Sequence, residues 1–288
     1  MYDCIVIGKG PAGITASIYM KRSNLNCLVI GKSESALMKT NRIENYYGFP
    51  NSISGKELFF YGTKQAENLK IEMKEEEVIS IEMRENFIVK TRDNEYEGKT
   101  ILIATGTGRK VPSIKGIKQF EGKGISYCAI CDSFFYRNKD VAVLGSGDYA
   151  IHEAEVLKPV AKSVVLITNG KETVQNRNNS FEEIETPIEE IMGESTVSEV
   201  RFIDGTNLKV EGIFVAEGIA SSSDFARKLG IVLDETGKNI KVNQNMETNI
   251  PGVYAAGDCT GGILQISKAV YEGTVAGLSV SKKMREQK

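Results

Sequence analysis

Residues 4–30 read CIVIGKGPAGITASIYMKRSNLNCLVI. Cys4 to Ile7 is a short continuous apolar run, the pattern of a strand buried on both faces. Gly8-Lys9-Gly10-Pro11-Ala12-Gly13 follows. From Pro11 to about Ser23, small and apolar residues recur at helical spacing: Ala12, Ile14, Ala16, Ile18 and Tyr19. Asn24 breaks that pattern, and Cys27-Leu28-Val29-Ile30 is a second buried strand. The stretch is a βαβ unit with the crossover length that a parallel pair needs. In this setting G-x-G-x-x-G is a dinucleotide-binding turn. Gly8 permits the tight turn, Gly10 lets the backbone approach a pyrophosphate, and Gly13 lets helix and strand pack closely. The N-terminus of the helix then offers its free N–H groups to the phosphates.

The pattern recurs. Val141-Ala142-Val143-Leu144 is a buried strand, Gly145-Ser146-Gly147-Asp148-Tyr149-Ala150 a Gly-rich turn, Ile151 to Leu157 a helix, and Ser163 to Ile167 another strand. Between the two units, Val78–Ile81 and Phe87–Val89 read as an antiparallel meander returning to a buried strand at Thr100–Ala104. Lys110-Val111-Pro112 reads as a crossover linker. Further strands are expected at Val200–Ile203 and Gly212–Ala216, with a return near Lys241-Val242-Asn243 and a strand and turn at Val253 to Asp258. A last helix runs from about Gln265 to Lys282, and its small residues Ala269, Gly273, Ala276 and Gly277 permit close packing. The expected fold class is therefore α/β: two nested Rossmann-like three-layer domains, the second inserted in the first. The discontinuous domain is expected over 1–112 and 242–288, and the inserted one over 113–241.

The chain has 288 residues, 41% hydrophobic and 26% charged, with a net charge of −2. That excludes global disorder and gives no general footprint for nucleic acid or an anionic membrane. No apolar run is long enough to span a bilayer. Met1-Tyr2-Asp3-Cys4 enters a strand-like run without a basic segment, so no signal peptide and a cytoplasmic location are expected. A single histidine, His152, excludes a multi-histidine metal site, and no metal is expected. The run Lys74-Glu75-Glu76-Glu77 is expected to be solvated charge.

There are five cysteines, and only Cys128 and Cys131 form a local pair. Cys4 and Cys27 are expected to be inert core thiols, and Cys259 a packing residue. A C-x-x-C pair can close a small disulfide ring, and its thiols can have depressed pKa values. Asp132 stands beside the pair, suited to deliver a proton to a leaving thiolate.

Five motifs occur in order: Gly8-x-Gly10-Pro11-Ala12-Gly13, Ile43-Glu44-Asn45-Tyr46-Tyr47-Gly48, Ala104-Thr105-Gly106, Cys128-Ala129-Ile130-Cys131-Asp132, and Gly252-Val253-Tyr254-Ala255-Ala256-Gly257-Asp258. With them the chain resembles the low-molecular-weight thioredoxin reductase family over nearly its whole length. The resemblance implies FAD in the discontinuous domain, an NAD(P)H-like inserted domain carrying the redox-active disulfide, thioredoxin as partner, and a homodimer. By position it implies FAD contacts from Gly8, Gly10, Pro11, Ala12, Gly13, the segment Lys32 to Met38, Asn45, Val78, Thr105, Gly106, Gly257, Asp258, Gln265 and Ile266. Gly257-Asp258 would meet the ribityl–pyrophosphate part. Gln265-Ile266, at a helix start, would stabilise negative charge on the reduced flavin. Cys128, Cys131 and Asp132 would be catalytic, with Cys131 nearer the flavin and Cys128 more exposed. Rotation of the inserted domain is expected, with hinges at Pro112 and Lys241–Asn243.

The chain also departs from the family. The acidic residue that usually closes the second strand is missing, and Glu34 comes late. Where the family carries a basic His-Arg-Arg cluster, Ile167 is followed by Thr168-Asn169-Gly170. No guanidinium is placed for a 2′-phosphate and no carboxylate for a 2′-hydroxyl. Lys171 is a weak substitute, and Tyr149 is bulky inside the second turn. Leu264 replaces the arginine expected before Gln265. The second dinucleotide fold is thus expected to persist as a scaffold without its ligand site. This profile resembles the ferredoxin-dependent flavin thioredoxin reductases and implies ferredoxin as the electron donor. Lys9, Lys39 and Arg42 are candidates for steering an acidic ferredoxin. Three alternatives stay open: an NAD(P)H-dependent thioredoxin reductase with an atypical site, a flavin-dependent small-molecule dithiol oxidase, and a non-enzymatic redox-sensing protein.

Overall fold

A computed structural model describes residues 1–33, 35–106, 112–173 and 181–286. The chain parts into two compact units: Met1–Gly108 with Ser221–Lys288, and Arg109–Ala220.

The first unit begins β1 (Cys4–Ile7), α1 (Pro11–Arg22), β2 (Cys27–Ile30), α2 (Gly55–Asn68) and β3 (Glu72–Lys74). It continues β4 (Val78–Met83), β5 (Phe87–Thr91), β6 (Glu95–Gly98) and β7 (Ile101–Ile103). The second unit carries β8 (Ile125–Ser126), α3 (Ala129–Asp132), β9 (Asp140–Leu144), α4 (Asp148–Leu157), β10 (Ser163–Ile167) and β11 (Glu182–Ile184). It ends with β12 (Ile188–Gly193), β13 (Val197–Phe202), β14 (Asn207–Lys209) and β15 (Gly212–Val215). The chain then returns to the first unit with α5 (Ser222–Leu229), β16 (Val253–Ala255) and α6 (Ile266–Glu286).

Each unit is built on a five-stranded parallel sheet, in the orders β16-β7-β1-β2-β3 and β11-β10-β9-β15-β8. Each adds a three-stranded antiparallel sheet, β4-β5-β6 and β12-β13-β14. The α/β expectation with two nested Rossmann-like units holds. β1 and β2 are fully buried because helices and sheet cover both faces, as their unbroken apolar runs require. The core of the first unit gathers Val6, Ala16, Met20, Val29, Leu102, Tyr254 and Val280. In the second, Leu144, Ile167 and Val215 of the parallel sheet pack with Ile191, Val200 and Phe202 of the antiparallel one.

Two helices, α2 and α5, are fixed by their starts. α2 opens with a capping box in which Ser54 Oγ accepts from the Glu57 N–H (3.2 Å) and the Glu57 carboxylate accepts from the Ser54 N–H (2.9 Å). α5 does the same with Ser221 and Asp224 and stops at Gly230, φ 72°. Its buried face joins Phe225, Ala226 and Leu229 with Ser222, Ser223 and Asp224 of the first turn.

The division between units returns at Ser221, ahead of the boundary expected at 242. Residues 221–241 are bonded inside the first unit: α5 packs on β4, Ile240 N–H donates to the Cys259 carbonyl, and Lys241 N–H to that of Val232. Lys241–Asn243 therefore lies within a unit, not at a junction. Of the expected linker, Lys110 and Val111 lie outside the described residues, and Pro112 lies beside the division.

Candidate functional site

In the first unit, three segments converge at the carboxyl ends of β1, β7 and β16. Gly8 turns at φ 120°, where a Cβ would strike the Ala104 carbonyl, and a Cβ on Gly13 would strike that of Gly8. Gly10 instead faces open space among the described residues and caps α1 without a side-chain hydrogen bond, with Pro11 in the first turn. Gly257 lies against α1, so that a Cβ there would come within 2.9 Å of Ala12 Cβ. Thr105 Oγ1 is buried with no hydrogen-bond partner among the described residues, and Gly106 beside it faces open space. Asp258 is half-buried. Burial pushes its carboxyl up, Lys268 pulls it down, and Glu272 pushes it up again.

The remaining candidates are more scattered. Asn45 Nδ2 donates to Gln265 Oε1 (3.2 Å), one residue before α6 begins at Ile266. Lys32 pairs with Glu77 (3.0 Å), Met38 sits in a 3-10 turn, and Val78 is the buried first residue of β4. Glu34 lies outside the described residues.

An open space over Gly10, an uncapped helix start and an unpartnered threonine hydroxyl fit FAD. The first two suit a pyrophosphate and the third a polar edge. Gly10, the start of α1 and Thr105 are the residues that would hold it.

A carboxylate from just after β3 lies beside the end of β2. Glu75 accepts from the Ser33 N–H, from Ser33 Oγ (2.8 Å) and from Lys9 Nζ. Glu76 accepts from Thr91 Oγ1 (2.6 Å) and Tyr96 OH (2.8 Å). The run is thus bonded to neighbouring segments, with Glu76 and Glu77 partly buried, while Glu75 stays exposed as expected of solvated charge. Its periodicity carries no sign of this, because the partners come from other strands. Lys9, its side chain 9% exposed, is held by Glu75, and Arg42 pairs with Glu44 at 2.6 Å. Of the three steering candidates, Lys9 is therefore not presented for docking.

In the second unit, Cys128 and Cys131 form a disulfide. Cys128 caps α3, its Sγ accepting from the Cys131 N–H (3.2 Å). Cys128 is 2% exposed and Cys131 lies at the surface, the reverse of the expected order. The backbone at Cys128 is tucked against Ser126 while the next residues turn outward into α3. Asp132 Oδ2 accepts from Ser126 Oγ (2.6 Å), and Ser126 Oγ also accepts from the Cys128 N–H (3.1 Å). Buried Glu153 on α4 accepts from the Ala129 N–H (2.7 Å). One serine thus ties the carboxylate to the cysteine backbone, and one glutamate fixes the start of the dithiol helix. Neither role has a local sequence signature. Ile130, Phe134 and Phe135 around the disulfide are exposed apolar side chains.

The second Gly-rich turn keeps its backbone form. Gly145 lies where a Cβ would strike the Ala216 carbonyl, as Gly8 does with Ala104. Tyr149 is fully buried in the core. Asn169 Oδ1 accepts from the Ile188 N–H (2.7 Å), the Gly170 N–H donates to the Glu185 carbonyl (2.6 Å), and Lys171 pairs with Glu217. Asn169, Gly170 and Lys171 are thus engaged within the unit itself, while Thr168 Oγ1 is buried with no hydrogen-bond partner among the described residues.

A disulfide beside a carboxylate, in a chain with two dinucleotide folds, defines a nucleotide-linked disulfide oxidoreductase. The chain belongs to the pyridine nucleotide-disulphide oxidoreductase family, whose model matches residues 2–273. It is 35% identical to a thioredoxin reductase of Ureaplasma parvum, with 96% of this chain and 95% of the relative covered. Among solved structures it is similar to the atypical thioredoxin reductase TRi from Desulfovibrio vulgaris Hildenborough, with TM-score 0.93, 35% identity and coverage of 100% and 99%. It is also similar to a ferredoxin-flavin thioredoxin reductase from Clostridium acetobutylicum, with TM-score 0.75, 33% identity and coverage of 99% and 98%. FAD is the cofactor of this family.

Proposed function

We propose that this protein is an FAD-dependent thioredoxin reductase that works through Cys128 and Cys131 and draws its electrons from reduced ferredoxin. The observation that carries the donor assignment is the self-engaged edge after β10, where Asn169, Gly170 and Lys171 are bonded to Ile188, Glu185 and Glu217. A 2′-phosphate would have to displace these contacts and would meet no arginine. Similarity to the ferredoxin-flavin enzyme supports the same reading.

Bound FAD supplies the conversion between one-electron delivery and a two-electron reduction. The chain supplies the rest. Two electrons and two protons open the Cys128–Cys131 bond to two thiols, with Asp132 placed to pass a proton. One cysteine, as thiolate, attacks the thioredoxin disulfide and forms a mixed disulfide. The other displaces reduced thioredoxin and closes the ring again, so that two electrons leave with the product. The exposed Ile130, Phe134 and Phe135 suit an apolar contact with a protein partner. We place the reaction in a reducing compartment, the cytoplasm, in keeping with the free buried thiols Cys4, Cys27 and Cys259, and in a homodimer.

An NAD(P)H-dependent reductase is the second reading, favoured by the intact backbone of the Gly145 turn. An anaerobic titration separates the two. The flavin band is followed while NADPH, NADH and then reduced ferredoxin are added. Bleaching by ferredoxin alone, reversed by oxidised thioredoxin, is the expected result. Fast bleaching by micromolar NADPH or NADH would overturn the donor assignment.

A further inference from the structure

Both polar groups of the Gly257 peptide are held by α6. The Gly257 N–H donates to Glu272 Oε2 (2.8 Å), and its carbonyl accepts from Lys268 Nζ (2.8 Å) and from Thr260 Oγ1 (2.8 Å). Lys268 Nζ also donates to Thr260 Oγ1 (2.7 Å) and pairs with Glu272 at 3.1 Å. The two charged side chains are only 18% and 12% exposed. An ion pair this sheltered carries a desolvation cost that its own attraction only partly offsets, so geometry is what it secures.

That geometry is demanding. Gly257 has φ 88°, a conformation that favours glycine, and its backbone is pressed on Ala12 in the first turn of α1. α6 is seated on the same residue, since a Cβ on Gly273 would strike the Ala12 carbonyl. One helix thereby fixes both the N-terminal turn of α1 and the segment that presents Asp258.

We propose that Lys268 and Glu272 are positioning residues for the cofactor: with Thr260 they clamp the Gly257 peptide and so set Asp258 against bound FAD. This rests on the FAD reading above. The charged groups acting on Asp258 are these same two residues of α6, with opposite effect. A carboxylate at Asp258 is the form that accepts a ribityl hydroxyl. The acid-side fall in FAD affinity therefore moves with the clamp charges.

The test uses the full chain freed of flavin and titrated with FAD between pH 4 and 8, read by quenching of flavin fluorescence. Lys268→Met is expected to raise the Kd about tenfold at pH 7 and to move the acid limb to higher pH. Glu272→Gln keeps an acceptor but loses the charge, and is expected to move the limb to lower pH. Circular dichroism checks folding, and Glu272→Gln alone decides the matter if Lys268→Met does not fold. Limbs that stay put or move the same way overturn the clamp. A wild-type chain that takes up no FAD at all overturns the functional reading instead.

Discussion

Asn45 and Gln265 meet at 3.2 Å although 220 positions separate them. The bond joins a loop before α2 to the start of α6, and both residues are expected at the cofactor. Such a solvent-facing hydrogen bond is worth about 0.5–1.5 kcal/mol. Gln265→Ala is expected to lower the apoprotein Tm by about 2–4 °C at most and to weaken FAD binding several-fold. Asn45→Ala with Gln265→Ala should lose little more than either alone, which calorimetry and FAD titration check together.

Glu153 meets the Ala129 N–H at the start of the dithiol helix. Glu153→Ala leaves that buried donor unsatisfied, at a cost of about 1–3 kcal/mol. Thioredoxin reduction in stopped flow should slow about tenfold, by the loss of roughly 1.4 kcal/mol of positioning. Reduction of the flavin by its donor should be unchanged.

The three free thiols should be silent. Cys4 and Cys259 are fully buried and their thiols pushed up to about 12 by burial, and Cys27 is pushed up to about 11. Iodoacetamide at pH 8 should label the surface thiol Cys131 of the reduced native protein and none of Cys4, Cys27 and Cys259, read by peptide mass spectrometry. The same shifts give stability a sign. The thiols of the unfolded chain ionise near pH 9 while the native ones stay protonated, so stability is full below pH 9 and falls between pH 9 and about 12. Urea midpoints at pH 8 and 10 measure this.

Tyr149 is fully buried. Tyr149→Ala should destabilise by about 3–5 kcal/mol, as loss of a large core side chain does. It should not restore reduction by NADPH, because the contacts of Asn169 and Lys171 remain. Thermal melts and NADPH titration of the variant check both.

The reach of the sequence follows its physics. β1, α1 and β2 were legible because an unbroken apolar run, a Gly-rich turn and a helical stripe are all local patterns. The C-x-x-C pair was legible for the same reason. Glu75, Ser126, Glu153, Lys268 and Glu272 were not, since each acts on a backbone group brought close only by folding. α5 spans only Ser222–Leu229, too short for its apolar period to repeat. Cys128 came out as the sheltered sulfur because Ser126 draws its backbone inward, a contact that spacing does not encode.

The sheet order β16-β7-β1 has a consequence for synthesis. β1 and β7 are made early, but the neighbour that covers β7 and the helix that seats on α1 are made only after the whole second unit. Until the ribosome has translated residues 253–286, β7 is an open edge and the Ala12 turn lacks the helix that braces it. A premature stop in that stretch would leave a nascent chain that cannot close its first unit.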